Sequence, residues 1–340
     1  MTILFLEKRD SVSRLLNLEK IESKLSIEFD GTRKYVFGCI QSSNYSLVVF
    51  SDWTNQISHS LIFKLKLSGV KVAYLFDGVY DWHNTFYNRK HYKIELHPLH
   101  PLKADYCFYV SLGNFSTAIM NQHLETRFIK YMPMRNLSTM DNEIRKRKDR
   151  YRYLITTANT SYFDEEEYLS LVKVLSYVIP KLKEYNIDVI FRVFDTRLSR
   201  DLNLDPAVNY VQGDFSSILS SVDCLISTNS TVCVEAAMLN IPVAYVCYRD
   251  FISFSTPGWI VCDNTRIEKL IIDMTNFGSV DHDRKLLFQK SALVTSQDEL
   301  MIEFEKIERE KGKATRLGYF SSIVSHVLNR IKIKYDNESK

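Results

Sequence analysis

Ser227, Thr228, Asn229 and Ser230 form a run of small hydroxyl and amide side chains, and Glu235 follows inside V-C-V-E-A-A-M, where every immediate neighbour is apolar. Ser, Thr and Asn at a helix start cap unsatisfied backbone N–H groups, and those N–H groups together with the helix dipole make a ready site for a phosphate. An ionised carboxylate is seldom set among apolar side chains without a partner. With Ser230 as the cap, a rise of about 1.5 Å per residue puts Glu235 roughly 7 Å along the axis, its side chain leaning back toward the N-terminus. That is the separation between a bound diphosphate and the hydroxyls of the ribose attached to it. One reading is therefore a nucleotide held by its phosphates at Ser230 and Thr231 and by its ribose at Glu235. A capped core helix whose glutamate pairs with an arginine of a neighbouring element accounts for the same residues.

The elements that must position this run are legible around it. Residues 222–226 read as a short buried strand, 231–239 as a helix stopped at Asn240, and 242–247 as a second β-branched and aromatic run. This is a strand, polar loop, helix, strand unit of the parallel α/β kind. The order S-T-N-S-T-V-C-V-E-A-A-M-L-N-I-P-V (227–243) resembles the nucleotide-binding segment in the C-terminal domain of GT-B-fold glycosyltransferases, and of the sugar-nucleotide 2-epimerases that share their architecture. The resemblance covers under a tenth of the chain. It implies an α/β protein of two Rossmann-like, doubly wound domains facing a central cleft, with a nucleotide-sugar as co-substrate and no further cofactor.

The rest of the chain has the same style. At 340 residues it is long for one core and comfortable for two. Strands are expected at 2–6, 46–50, 70–76, 106–110 and 127–131, extended stretches near 25–29 and 35–39, and helices at 11–22, 57–67 and 115–124. Such alternation argues for a parallel sheet covered on both faces. The pattern lapses between 132 and 152, which carries a basic run at 145–148, and then restarts. Strands follow at 153–157, 189–194, 210–211 and 259–262, with helices at 164–183, 216–221, 266–275 and 298–310. The expected division is an acceptor-side domain over 1–134, a linker over 135–151, a nucleotide-sugar-binding domain over 152–312, and a C-terminal helix within 313–340. The basic run reads as a solvated surface or as weak attraction to an anionic membrane face.

Bulk properties exclude several classes. Apolar content of 45% and charged content of 25% are those of a soluble globular protein, and a net charge of +3 is too small to argue for nucleic acid. The opening M-T-I-L-F-L-E-K-R-D holds too short an apolar run for a signal peptide, and no stretch approaches 18 apolar residues. The expected location is the cytoplasm, including the inner face of the membrane. Six cysteines (39, 107, 224, 233, 247, 262) are scattered without C-x-x-C and read as buried reduced thiols, and no H-E-x-x-H occurs.

In open parallel sheets ligands bind beyond the carboxyl ends of the strands. Three such ends in the second half carry fitting groups: Thr157, Asn159 and Thr160; Arg192; and Thr228, Asn229 and Ser230. Glycosyl transfer needs a group to take the acceptor's proton and a way to stabilise the departing phosphate. Asp77, at a strand tip of the first half, is the expected base, with Asp81 and His83 as substitutes in the loop that follows; Asp-Gly is equally a common turn pair. Trp82 and Asn84, with Tyr80, would meet the sugar or acceptor, with a place in the core as the alternative for Trp82 and Tyr80. Arg192 and Arg249 are the cations placed to meet the phosphates; for Arg192, amid the apolar residues of its strand, a salt bridge to a structural acid is the alternative.

Bacterial sialyl and Kdo transferases, which the Asp-Gly pair resembles, carry His-Pro near the second-domain strand where this chain has Phe191-Arg192. Its own H-P-L-H-P (97–101) lies in the first half, which argues against a CMP-sugar donor and gives His97 and His100 to a rigid loop. Asp281-His282-Asp283 reads as a helix start, and no essential metal is expected. The resemblance implies a metal-independent glycosyltransferase of surface polysaccharide synthesis, of the lipopolysaccharide or capsule type, acting on a glycan or lipid-linked acceptor. Its rivals are a non-hydrolysing 2-epimerase and a non-catalytic partner of the same fold.

Overall fold

A computed structural model describes residues 2–52, 55–79, 87, 104–110, 126–137, 149–213, 215–249, 256–291, 293 and 296–310. They form two parallel sheets. The first contains β1 (Thr2–Phe5), β2 (Ser26–Glu28), β3 (Tyr45–Phe50), β4 (Lys71–Val79), β5 (Tyr106–Val110) and β6 (Arg127–Lys130), in the order β2-β1-β3-β4-β5-β6. The second contains β7 (Arg152–Thr156), β8 (Asp188–Arg192), β9 (Cys224–Ser227), β10 (Val243–Val246) and β11 (Trp259–Val261), in the order β11-β10-β9-β7-β8.

Strands buried on both faces read as continuous apolar runs, and β3 (YSLVVF) and β5 (YCFYV) are buried throughout. Alternate residues of β1 enter different cores. Ile3 and Phe5 pack with helices α1 (Arg9–Ser13) and α2 (Leu18–Glu22), whereas Leu4 and Leu6 face helices α3 (Gly31–Val36) and α4 (Gln56–Leu67). The second sheet is sandwiched likewise. Tyr153 and Ile155 pack on α6 (Glu165–Glu184) and α10 (Ile267–Thr275), and Leu154 and Leu225 on α8 (Phe215–Ser220) and α9 (Thr231–Met238). Both halves are thus doubly wound. The remaining described helices are α5 (Met134–Leu137), α7 (Thr196–Asp201), α11 (Val280–Lys290) and α12 (Asp298–Arg309).

Helix α6 shows why the sequence pattern was readable. Asp164 caps it by accepting from Glu167 N at 2.8 Å, Glu165, Glu166 and Glu167 fill its first turn, and Lys181 and Lys183 its last, as the helix dipole prefers. The amphipathic α12 crosses back to the first sheet. Its Leu300, Met301, Phe304 and Ile307 lie in the same core as Ile3 and Phe5, and Phe304 meets Phe108 at 4.9 Å between ring centres. Lys24–Glu305 (2.8 Å) and Arg127–Glu303 (2.8 Å) flank that contact.

Several expectations need correction. The stretch at 35–39 is not extended: residues 31–36 are helical. Gly31 lets that helix lie on β1, since a Cβ there would meet Leu6 Cδ2 at 2.8 Å. The segment at 11–22 is two short helices, the second capped by Asn17, whose side chain accepts from Lys20 N. β4 runs on through Asp77 and Gly78 to Val79, which pairs with Val110, so Asp-Gly forms no turn here. Residues 210–211 form no strand; Asn209 makes an isolated bridge to Phe191. The six cysteines are unpaired, but Cys39 and Cys247 are exposed while Cys107, Cys224 and Cys233 are buried. The expected helices at 115–124 and beyond 313, and most of 135–151 including the basic run, lie outside the described residues.

Candidate nucleotide site at the junction of the two sheets

In the second sheet the chain runs from β7 outward to β8 and then returns to β9 on the other side of β7. Loops leaving neighbouring strands at such a switch point turn to opposite faces and open a crevice at the carboxyl edge of the sheet. Here the crevice lies between the ends of β7 and β9. It is laced by Ala158 N donating to Thr228 Oγ1 (2.8 Å) and Thr228 N donating to Thr156 O (3.3 Å).

Helix α9 opens from this crevice. Ser230 has extended backbone and its hydroxyl accepts from Val232 N at 3.5 Å, a long cap bond, while its carbonyl accepts from Cys233 N at 3.0 Å. Asn229 is buried and its Oδ1 accepts the Tyr245 hydroxyl. Among the described residues its Nδ2 has no acceptor, and the same holds for Thr157 Oγ1 and Ser161 Oγ, although the three residues are only 5%, 2% and 2% exposed. Most buried polar atoms in folded proteins are hydrogen-bonded, and those that are not ask for an explanation such as a ligand or water. Thr157 and Asn229 adjoin Ala158 and Thr228, which bond across the crevice, and Ser161 lies farther along the loop after β7, tied to Tyr248. Cys233 is also buried, its Sγ 3.7 Å from Thr228 O, and burial pushes its thiol up to about 11, so it stays protonated.

The first sheet closes over the start of α9. Thr231 Oγ1 accepts from Val79 N, at the tip of β4, at 3.0 Å. A Cβ on Gly78 would lie 2.2 Å from that same oxygen, so glycine is required by the approach of the two halves. Val234 and Met238 of α9 belong to the first-sheet core, and α9 packs against α5. The helix start is therefore held between the two sheets.

The other expected site residues fall as follows. Glu235 is half-buried on α9, between the buried Val234 and Ala236. Asn159 and Thr160 are exposed on the loop after β7. Arg192 stands at the end of β8 with its guanidinium over the rings of Phe215 (4.9 Å) and Phe194 (5.2 Å), and its Nη1 donates to Tyr210 O at 3.2 Å. Arg249 is 4% exposed and its Nη1 lies 2.9 Å from Glu167 Oε2, an oxygen that also accepts from Phe163 N. Its guanidinium stacks over Phe163 and Tyr248, and Tyr248 donates its hydroxyl to Ser161 O. This arginine thereby fixes the loop between β7 and α6.

Asp77 is 69% exposed and ion-paired with Arg135, which also donates to the Asp77 carbonyl. Asp81, Trp82, His83 and Asn84 lie outside the described residues, as do Tyr80, His97 and His100. Asp281 and Asp283 occupy the first turn of α11, where Ser279 is the cap, and the buried His282 places Nε2 3.2 Å from Met274 O. Among the described residues no group of three or more His, Cys, Asp or Glu side chains could hold a metal ion, and no helix is long and apolar enough to cross a membrane.

Ser161, on the loop after β7, and Phe194, Tyr210 and Phe215, around Arg192, are residues that sequence reasoning passed over. Ser161 lay in a turn of small polar residues, which gave a signal without singling it out. The aromatic residues could be told from core only by their position around Arg192.

No family model matches the chain, and no curated protein matches it in sequence. Solved structures do match in shape. A putative UDP-N-acetylglucosamine 2-epimerase from Listeria monocytogenes aligns with a TM-score of 0.58 at 11% identity, over 92% of this chain and 99% of that one. The UDP-GlcNAc 2-epimerase of Methanocaldococcus jannaschii, solved with UDP-GlcNAc and UDP, aligns with a TM-score of 0.52 at 14% identity, over 90% of this chain and 99% of that one. The architecture is that of the GT-B fold. A weaker likeness, TM-score 0.48 at 15% identity over 90% of this chain and 88% of that one, is to the wall teichoic acid polymerase TagF.

Proposed function

We propose that the chain is a GT-B enzyme that binds a nucleotide-sugar in the β7/β9 crevice and transfers its glycosyl group to a hydroxyl of a glycan or lipid-linked glycan during surface polysaccharide synthesis. The observation that carries this reading is the pair of buried, unpartnered polar atoms of Thr157 and Asn229, whose neighbours Ala158 and Thr228 bond across the crevice that leads to the capped start of α9. In the proposed complex the diphosphate faces the N–H groups of that helix start, where its dipole favours negative charge. Glu235 receives the ribose hydroxyls, and the rings beside Arg192 offer the base a stacking surface. Arg192 is the cation proposed to approach the phosphates. Arg249 acts indirectly, by holding the loop that carries Ser161. Of the residues proposed as base, Asp77 is the described one. The acceptor class, a cytoplasmic location and contact with the inner membrane face belong to this proposal through the sequence resemblance.

The test is thermal unfolding in the presence of a panel of nucleoside mono- and diphosphates. A ligand that binds only the folded state stabilises it by RT ln(1 + [L]/Kd), about 2.7 kcal/mol at a hundredfold excess over Kd. A nucleotide that stabilises identifies the base, and the corresponding sugar donor is then offered with hydroxylated acceptors. A second reading, 2-epimerisation of a UDP-N-acetylhexosamine, is favoured by the two epimerase structures that align above a TM-score of 0.5. Proton NMR of UDP-N-acetylglucosamine incubated without acceptor separates the two, since only an epimerase converts the sugar. Binding of a nucleotide without turnover of any donor would leave a non-catalytic partner.

A further inference from the structure

The first sheet has a switch point of its own. The chain runs from β1 outward to β2 and returns to β3 on the other side of β1, so a crevice opens between the carboxyl ends of β1 and β3. Glu7 stands there, just past β1. Its Oε1 accepts from Ser51 N at 2.7 Å and Asp52 N at 2.8 Å, the first two backbone donors after β3, and its own carbonyl accepts from Asp30 N at 2.9 Å. The carboxyl group is thus pinned across the crevice, and the Ser51 side chain and Glu7's own N–H also hydrogen-bond to it. Among the described residues no cation pairs with it. The charged neighbours are Asp52, which is exposed, and Asp30, whose carboxylate faces Arg33 at 3.9 Å. Burial raises its proton affinity above the ordinary glutamate value, against the opposing pull of the Asp52 and Ser51 N–H groups.

The two sheets meet two strands away from this crevice, at the tip of β4. β4 is separated from β1 only by β3, and its tip bonds to Thr231 at the start of α9. With strands about 4.8 Å apart, the end of β1 lies about 10 Å across the sheet edge from that junction. That is the reach of one phosphate and one sugar ring beyond a helix start that holds a diphosphate. Asp77 lies nearer, but its carboxylate is engaged by Arg135.

We infer that Glu7 is a catalytic base of this cleft, taking the proton of the acceptor hydroxyl; the inference rests on the glycosyl-transfer reading. The acceptor O–H bond breaks and its proton passes to the Glu7 carboxylate as the acceptor oxygen bonds to the anomeric carbon. The bond from that carbon to the phosphate oxygen breaks, and its electron pair leaves with the nucleoside diphosphate at α9. A buried carboxyl with raised proton affinity suits this task because a base works best when its pKa approaches the working pH.

The test compares full-length wild type with Glu7→Gln and Glu7→Ala. Glutamine keeps an oxygen for Ser51 and Asp52 but cannot take a proton. Glu7→Gln is expected to melt no lower than wild type and to keep the affinity for UDP, and to lose UDP release from UDP-N-acetylglucosamine in the presence of acceptor by about 10²- to 10⁴-fold. Retention of more than a tenth of that rate, or a parallel loss of UDP affinity, overturns the assignment.

A second arm needs no turnover. In a ¹³C-carboxyl NMR titration, with Glu7→Gln identifying the resonance, Glu7 is expected to titrate above the ordinary glutamate value and to shift when UDP-N-acetylglucosamine is added. A Glu7 resonance that titrates normally, or that ignores a ligand the melting curves show to be bound, overturns the base assignment. Failure of every nucleotide to raise the melting temperature of wild type and variant alike counts instead against the nucleotide site on which the inference rests.

Discussion

A single oxygen, Thr231 Oγ1, meets the backbone of β4 at Val79 N, and the missing side chain of Gly78 is what lets it do so. Threonine is β-branched and cannot swing away cheaply. Gly78→Ala is therefore expected to force the two halves apart at the site, costing about 1 to 3 kcal/mol of stability, as overpacking does, and weakening nucleotide affinity; urea unfolding and calorimetry measure the two effects. Glu235 makes the complementary case. Glu235→Ala is expected to leave the fold intact while weakening nucleotide binding by about tenfold, the worth of a hydrogen bond to a charged group. A variant that unfolds with affinity unchanged would give that carboxylate to the structure alone. Glu7 adds a pH effect of definite sign. Because its folded pKa lies above the unfolded value, the folded state binds its proton more tightly, so its contribution is favourable at low pH and is lost as pH rises through the folded pKa. Glu7→Gln should accordingly gain stability relative to wild type above that pKa and not below the ordinary carboxylate range, as paired melting curves at two pH values would show.

Among elements, those whose own sequence carries start and stop signals were readable in advance: α6 with its Asp164 cap and terminal lysines, α9 with Ser230, and β5 as an unbroken apolar run. What a sequence pattern does not carry is the partner of a face. The period of α12 marks Leu300, Phe304 and Ile307 as buried but does not say that they cross to the first sheet. The L-E-K-R-D run likewise gives no hint that the glutamate of its second position accepts from Ser51 N and Asp52 N just past β3. Arg249 was expected at the phosphates because an arginine after a strand end is well placed for that, and only the packing reveals Glu167 behind it. Two predictions follow from these placements. Phe304→Ala is expected to cost about 3 to 5 kcal/mol by leaving a cavity against Phe108, with the urea midpoint lowered. Arg249→Met is expected to cost about 3 to 5 kcal/mol, because it strands the Glu167 carboxylate in a buried place. Restoring the loss by a second change, Glu167→Gln, would show that the pair acts as a unit.

The whole molecule places two switch points at the facing carboxyl edges of two parallel sheets, with α9 wedged between them and α12 tying the second half back to the first. Such an arrangement gives each half one wall of a common cleft, as in the GT-B fold. A fold does not by itself fix a reaction, so the reaction has to be argued from side chains. The claim on which the rest depends is that α9 and its neighbours hold a nucleotide. Calorimetric titration of UDP and the other nucleoside diphosphates into wild type and Glu235→Ala tests it most directly. The account predicts saturable binding of at least one nucleotide to wild type and about tenfold weaker binding to a variant of unchanged melting temperature. Absence of binding by every nucleotide, or equal affinity in the two proteins, would contradict it.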